Sequence, residues 1–361
     1  MENLLHGSKM NVRIRCGSTV FLGGGLLLLV LSIAVAGAKG TVTIPIPDVI
    51  RIIINALPIV SINETWNHTD ETILLQLRLP RVIAAALVGS ALSTAGVLFQ
   101  GIFRNPLVDP FIIGASSGAA FAAVLGFLII PQVGFVIYGF SWVPILAFIG
   151  SVSTVVLVYL ISRSQSRVQV TTLLLAGVAV GAFLTAVMSF ILLTQTDSQF
   201  RLGAVLSWLM GGVGTVGWAQ FLLLGPFVAI GVFMARLLAK PLNAFSLGEE
   251  HAQTLGIGVE RNKIAILTAS SLLTAAAVAA AGLVGFVGLI TPHIMRLIIG
   301  PDHRTLIWAS VIYGATFVVL ADLAARTLLT PQEIPLGVIT GVIGGPFFLI
   351  LLRRSKNRLI F

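Results

Sequence analysis

The residues with which this chain could bind a metal ion, activate water or hydrolyse a nucleotide are few, and their spacing serves none of those ends. His6, His68, His251, His293 and His303 are scattered, with no H-E-x-x-H pair and no Cys/His cluster. Cys16 is the single cysteine, so no internal disulfide can form, and it stands in a basic stretch expected to face a reducing cytosol. No G-x-x-x-x-G-K-[ST] loop is present to cradle phosphates, so any energy must come from another polypeptide. The expectation is a non-enzyme with no cofactor and no metal site.

What remains is the chemistry of fixed charge. The stretch "NAFSLGEEHAQTLGIGVERNK" (243–263) is a polar island in an apolar chain. Ser246 followed by Glu249 reads as an S-x-x-E capping box that opens a helix, and Gly256 or Gly258 can close it. Leu247, His251, Thr254 and Leu255 recur at helical spacing, whereas Glu249, Glu250 and Gln253 face elsewhere. A helix this short is marginal in water, so it must pack against something. Anionic lipid favours a Lys/Arg-rich polar face, and this one carries two glutamates, so a protein partner is expected.

The elements that must carry this island are dictated by composition. With 57% hydrophobic residues, 10% charged residues and a mean hydropathy of +1.03, the chain does not describe a soluble protein. Its apolar runs are continuous instead of alternating, which indicates membrane-spanning helices and not a barrel. They lie near 19–38, 82–101, 111–130, 143–161, 172–193, 218–238, 264–299, 306–325 and 334–352. The run at 264–299 would be about 54 Å long as one helix, against a hydrocarbon core of about 30 Å. A break near Gly282, Gly285 and Gly288 gives ten helices. The first run, about 20 residues after Lys9, Arg13 and Arg15, is long enough for an uncleaved span.

Ten helices with both termini inside place 16 of the 22 Lys and Arg residues on the cytoplasmic side, as the positive-inside rule requires. Dispersal of those cations between apolar blocks excludes a nucleic-acid footprint. The organisation is a cytoplasmic N-terminal segment at 1–18, a membrane domain at 19–352 with a cytoplasmic loop at about 240–263, and a cytoplasmic tail at 353–361. Glycine pairs Gly114/Gly118, Gly177/Gly181 and Gly341/Gly345, and the small-residue run "GSALSTAG" (89–96), suit close helix packing. The segments 95–114 and 281–300 match at six of 20 positions, a hint of an inverted repeat. No ionisable residue falls at a span centre, which argues against an ion-coupled transporter. Arg78, Arg81 and Arg326 lie at outer helix ends against the charge trend; snorkelling is one explanation, and for Arg326 an i,i+4 pair with Asp322 is another.

Several stretches in order resemble the permease subunits of binding-protein-dependent ABC importers for ferric siderophores, haem and vitamin B12, the FecCD/BtuC-like family. They are "LQLRLPRVIAAALVGSALSTAGVLFQGIFRNPLVDPFIIGASSGAA" (75–120), "LLLAGVAVG" (173–181), "SWLMGGVGTVGW" (207–218), "LGEEHAQTLGI" (247–257), "GLVGFVGLITPHIMRLIIGPDHR" (282–304) and "EIPLGVITGVIGGPFFLILLRR" (333–354). The resemblance implies an all-α, multi-pass protein of the bacterial cytoplasmic membrane with the BtuC-like type II importer permease fold. It implies a second permease subunit, two cytosolic ATPase subunits, an extracytoplasmic binding protein and a ferric siderophore as cargo, with haem or cobalamin as alternatives.

By the same resemblance, residues 246–256, with Ser246, Leu247, Gly248, Glu249, Glu250, His251, Leu255 and Gly256, form the helix that docks into an ATPase. Arg78, Arg81 and Arg326 would meet carboxylates on the binding protein. Part of the cytoplasmic gate would lie at Asn105 and Leu107 in "RNPLVDP" (104–110), opposite Val170 and Thr171; a Pro-containing turn is the plainer reading of that loop.

Overall fold

The computed structural model describes residues 6–56, 63–129, 136–137, 140–164, 167–194, 199–214 and 216–356. Chain-terminal residues 1–5 and 357–361, parts of the expected cytoplasmic segments, lie outside them. The first helix, α1 (His6–Ala38), is followed by α2 (Ile46–Asn55), which starts at a Pro-containing first turn and buries Val49 and Ile52. Next comes α3 (His68–Ile102), 35 residues long and the most enclosed helix, with 83% of its apolar window buried. Its Ile73–Arg78 stretch is a π-turn, where the Leu79 N–H reaches back to the Leu74 carbonyl. Pro80, next along, has no N–H to continue the regular ladder, and the wider turn absorbs the fault.

A 3-10 turn at Pro110–Ile113 leads to α4 (Ala115–Ile129), followed by α5 (Trp142–Ser162), α6 (Val170–Thr194) and the short α7 (Gln199–Leu209). Then come α8 (Trp218–Leu237), α9 (Ala239–Phe245), α10 (Glu249–Thr254), α11 (Val259–Ala281), α12 (Val287–Ile299), α13 (His303–Thr327) and α14 (Leu336–Lys356). Among the described residues, eight helices are long and apolar enough to cross a membrane, and α4 and α12 are shorter apolar helices.

The break expected in the long seventh run falls at Gly282–Phe286. Gly282 and Phe286 both have positive φ, 64° and 67°, and Gly288 lies inside α12. Lipid offers no hydrogen bonds to such a corner, so protein must supply them. The Gly212 N–H donates to the Ala281 carbonyl at 2.8 Å, and the Leu336 and Gly337 N–H groups donate to Gly211 and Met210 at 2.9 and 3.1 Å. Three non-helical corners thereby satisfy one another.

Helices α3, α11 and α13 form the centre. A Cβ on Gly89 would collide with the Gly314 carbonyl, and one on Gly96 with that of Gly288, so α3 touches α13 and α12 backbone to backbone. Gly118 on α4 meets Gly150 on α5 in the same way, and Gly177 lets α6 lie on the Ile112–Ile113 turn. Gly341 and Gly345 do otherwise: open space surrounds both, and Gly344 between them receives Phe286. The suggested repeat is not seen in the local structure, because 103–109 is a loop whereas its counterpart, 289–295, lies inside helix α12.

Packing leaves α6 and α14 with only 17% of their apolar windows buried. Gly96→Val should lower thermal stability in detergent by about 1–3 kcal/mol through overpacking. Gly23→Val on exposed α1, where nothing lies within 4 Å, should leave the melting temperature unchanged.

Candidate functional site

At one end of the bundle, where α3 begins and α13 ends, the chain concentrates charge where apolar packing stops. Arg78 and Arg326 are each only 6% exposed. Arg78 Nη1 donates to the carbonyls of Gly37 and Ala38 at 2.9 and 3.0 Å, and its Nη2 to that of Val42. Arg326 donates to Ala36 and Lys39 at 2.6 and 3.1 Å. Both guanidiniums therefore cap the C-terminus of α1, where unpaired carbonyls and the helix dipole favour cations. In this chain the donors of both face inward, and Gly40 leaves the room that Arg78 occupies.

Arg81 is the hub of the cluster. Its Nε and Nη2 donate to Asp322 Oδ1 at 3.0 and 2.9 Å, and its Nη1 and Nη2 donate to the two Glu333 oxygens at 3.0 Å each. Asp322 also stands 3.2 Å from Arg326 Nε, the i,i+4 pair visible in the sequence. Arg81 is 14% exposed by side chain, Asp322 2% and Glu333 51%, so the carboxylate of Glu333 is the group that meets water. These three residues, with Ser207, Trp208 and Gln220, line a cavity of about 720 Å³. Glu333 was missed in the sequence, where a lone acid before the last span carries no distinctive pattern.

At the opposite ends of the helices lies the polar island. Ser246 does not open α10; it ends α9 in helical conformation, its Oγ donating to the Asn243 carbonyl at 2.6 Å. The N-cap is Gly248 at φ 111°, a backbone angle that suits glycine, so the expected capping box is not formed. Gly256, at φ 78°, ends the helix as the sequence suggested. Ala252 is fully buried against the bundle, whereas Leu247 and Leu255 are each 64% exposed and Glu250 and His251 face water. The packed face is thus not the Leu247–His251–Leu255 face read from spacing.

Glu249 Oε2 accepts from Lys263 Nζ at 2.7 Å, and Glu260 Oε1 stands 3.3 Å from the same ammonium. Asn243 bonds Asp302 at 2.7 Å and the His303 N–H at 2.9 Å, joining α9 to the start of α13. Burial works to raise the Asp302 carboxyl, but the bonds from Asn243 and the Arg304 N–H outweigh it and hold it below its ordinary value.

Residues 104–110 lie beside this helix: Arg104, at φ 48°, brings Nη1 to 3.9 Å from the position a Cβ on Gly248 would take. Asn105 Oδ1 accepts the Leu107 N–H at 3.0 Å, and Asp109 Oδ1 accepts the Phe111 N–H at 2.9 Å. Burial pushes the Asp109 carboxyl up to about 6, against the lowering effect of that bond. Val170 and Thr171 form the first turn of α6, about 10 Å along it from Gly177, where the Ile112–Ile113 turn rests. Among the described residues no group of three or more His, Cys, Asp or Glu could hold a metal ion.

This architecture of membrane helices, with a short polar helix at one end and an ion-paired cavity at the other, matches the FecCD transport family over residues 26–354. The chain is 40% identical over 338 residues to the ABC transporter permease protein YvrB of Bacillus subtilis (strain 168), covering 92% of this chain and 93% of that protein. It is 42% identical over 291 residues to the cobalamin import system permease protein BtuC of Halobacterium salinarum, covering 81% and 76%. A solved inward-facing metal-chelate type ABC transporter superposes with a TM-score of 0.79 at 31% identity, over 93% of this chain and 99% of that one. The chain belongs to the FecCD transport family: it is a multi-pass permease of an ABC importer in the cytoplasmic membrane. Its ATPase is a separate subunit, and the family implies a substrate-binding partner and a second permease.

Asp322→Ala should cost about 3–5 kcal/mol, because two buried guanidiniums would share one exposed carboxylate. Glu333→Ala at the water-facing end should cost about 0–1 kcal/mol. Equal losses on thermal unfolding would show that burial does not govern the cluster. Asp109 carries the opposite sign to a salt-bridged acid: its raised folded-state value means stability is lost as pH rises from about 4 through about 6. Asp109→Asn keeps the acceptor without the charge, so it should melt higher than the parent at pH 7, with the advantage vanishing near pH 4.

Proposed function

We propose that this permease subunit carries a ferric siderophore inward, driven by two cytosolic ATPase subunits that seat on α10. The observation that carries the proposal is the pair of exposed leucines, Leu247 and Leu255, flanking an exposed His251 and Glu250 on a helix bounded by glycines. Apolar side chains so exposed on a cytoplasmic element mark a protein contact. Relatives named for Fe(3+)-citrate and iron(3+)-hydroxamate import, together with the metal-chelate type of the solved structure, support the cargo class. Haem and cobalamin are the alternative cargoes, supported by relatives named for hemin and cobalamin.

On the outer face, the binding protein docks around Arg81, which reaches the surface through Glu333, while Arg78 and Arg326 brace the scaffold behind it. Within the cytoplasmic half, Asn105 and Leu107 gate the path with Val170 and Thr171, and the uncovered faces of α6 and α14 suit the second permease subunit. The inner loop lies next to Gly248, so displacement of α10 has a short route to the gate.

In vesicles holding the complete importer, replacing Leu247 and Leu255 by Asp should weaken ATPase association about tenfold or more and abolish uptake of labelled ferric siderophore. Wild-type vesicles should accumulate ferric siderophore in preference to haem or cobalamin. Undiminished ATPase binding by the double variant would refute the docking surface, and preference for haem or cobalamin would refute the cargo.

A further inference from the structure

The side chain of Lys263 is 4% exposed and lies one turn inside α11, an unusual place for a lysine unless it is held there. Its partners come from two elements: Glu249 at the first position of α10, 2.7 Å away, and Glu260 on its own helix, 3.3 Å away. Helix α10 has six residues, too few to be stiff by itself, and its two ends are Gly248 and Gly256, both at positive φ. The covalent route from α10 to α11 passes through Gly256, Ile257 and Gly258, so pushing α10 through the backbone alone would bend that link. Helix α11 is 72% buried in its apolar window and packs on α3, α5 and α8, so whatever moves α11 moves the centre of the bundle.

Resting on the reading that α10 meets the ATPase, we propose that Lys263 is the strut that transmits α10 displacement to α11, a positioning residue for coupling ATP hydrolysis to transport. A charge pair enclosed on one side resists separation because the buried ammonium would give up its 2.7 Å carboxylate partner in a poorly hydrated setting. Compression or tension on α10 therefore reaches α11 before the glycine link yields. Ala252, the buried residue of α10, supplies contact but can slide; the ion pair supplies direction.

The test uses the full importer in vesicles and reads cargo moved per ATP hydrolysed. Lys263→Met keeps the apolar stem and removes the charge, and Glu249, 43% exposed, can hydrate without it. The variant should still hold its ATPase subunits, shown by a cross-link from Leu255→Cys in a Cys16→Ser background, while cargo per ATP falls about tenfold. Lys263→Arg should recover most of the ratio, which a role in packing volume alone would not explain. If Lys263→Met fails to assemble, Glu249→Gln, which leaves the buried ammonium its Glu260 partner, should lower the ratio in the same direction. An unchanged ratio in an assembled variant overturns the strut. Absence of the cross-link in the otherwise wild-type complex instead removes the docking reading on which it rests.

Discussion

Hydrocarbon cannot hydrogen-bond a peptide group, and most of this structure is a response to that fact. Regular helix satisfies the spans, but an importer also needs helices that end, break and turn within or near the membrane. Among the described residues, several such ends find an internal partner. The corners after α7, after α11 and before α14 bond one another, and the last carbonyls of α1 are taken by Arg78 and Arg326. The arginines are costly to bury, and they persist because each answers unpaired carbonyls or a carboxylate.

The same constraint explains the division between a rigid centre and uncovered flanks. Without water to drive apolar faces together, helices associate by close approach, and glycine supplies it where α3 meets α12 and α13. Once α3, α11 and α13 are locked, α6 and α14 remain at the edge with little internal contact. A family that works through a second permease subunit has an evident use for such flanks. The polar features then fall at the two ends of the locked centre: the Arg81–Asp322–Glu333 cluster at one, and α10 with Lys263 at the other.

The two ends differ in how they hold charge. At one end, Arg81 satisfies two carboxylates while one of them, Glu333, stays hydrated, so a carboxylate is the group that meets water where the sequence advertises arginines. At the other, a buried lysine draws a carboxylate from a six-residue helix onto the bundle. Both arrangements tie separate elements through one enclosed cation, which is the geometry that lets a local contact be felt at a distance.

By itself the sequence determined the apolar helical runs, the break after Ala281, the polar island, and the family, because hydropathy and ordered motifs are local properties that survive without a fold. It also showed the pairing of Asp322 with Arg326, four residues apart on one helix. Only the tertiary structure decided which way each charge points. Arg78 and Arg326 turned inward because α1, about 40 and 290 residues away in sequence, ends beside them. Arg81 was claimed by acids more than 240 residues distant, and Ser246 closed a helix instead of opening one because α9 already runs to Phe245. Spacing along a chain records which residues can share a helix face; it holds no record of which distant backbone ends or carboxylates will arrive to satisfy them.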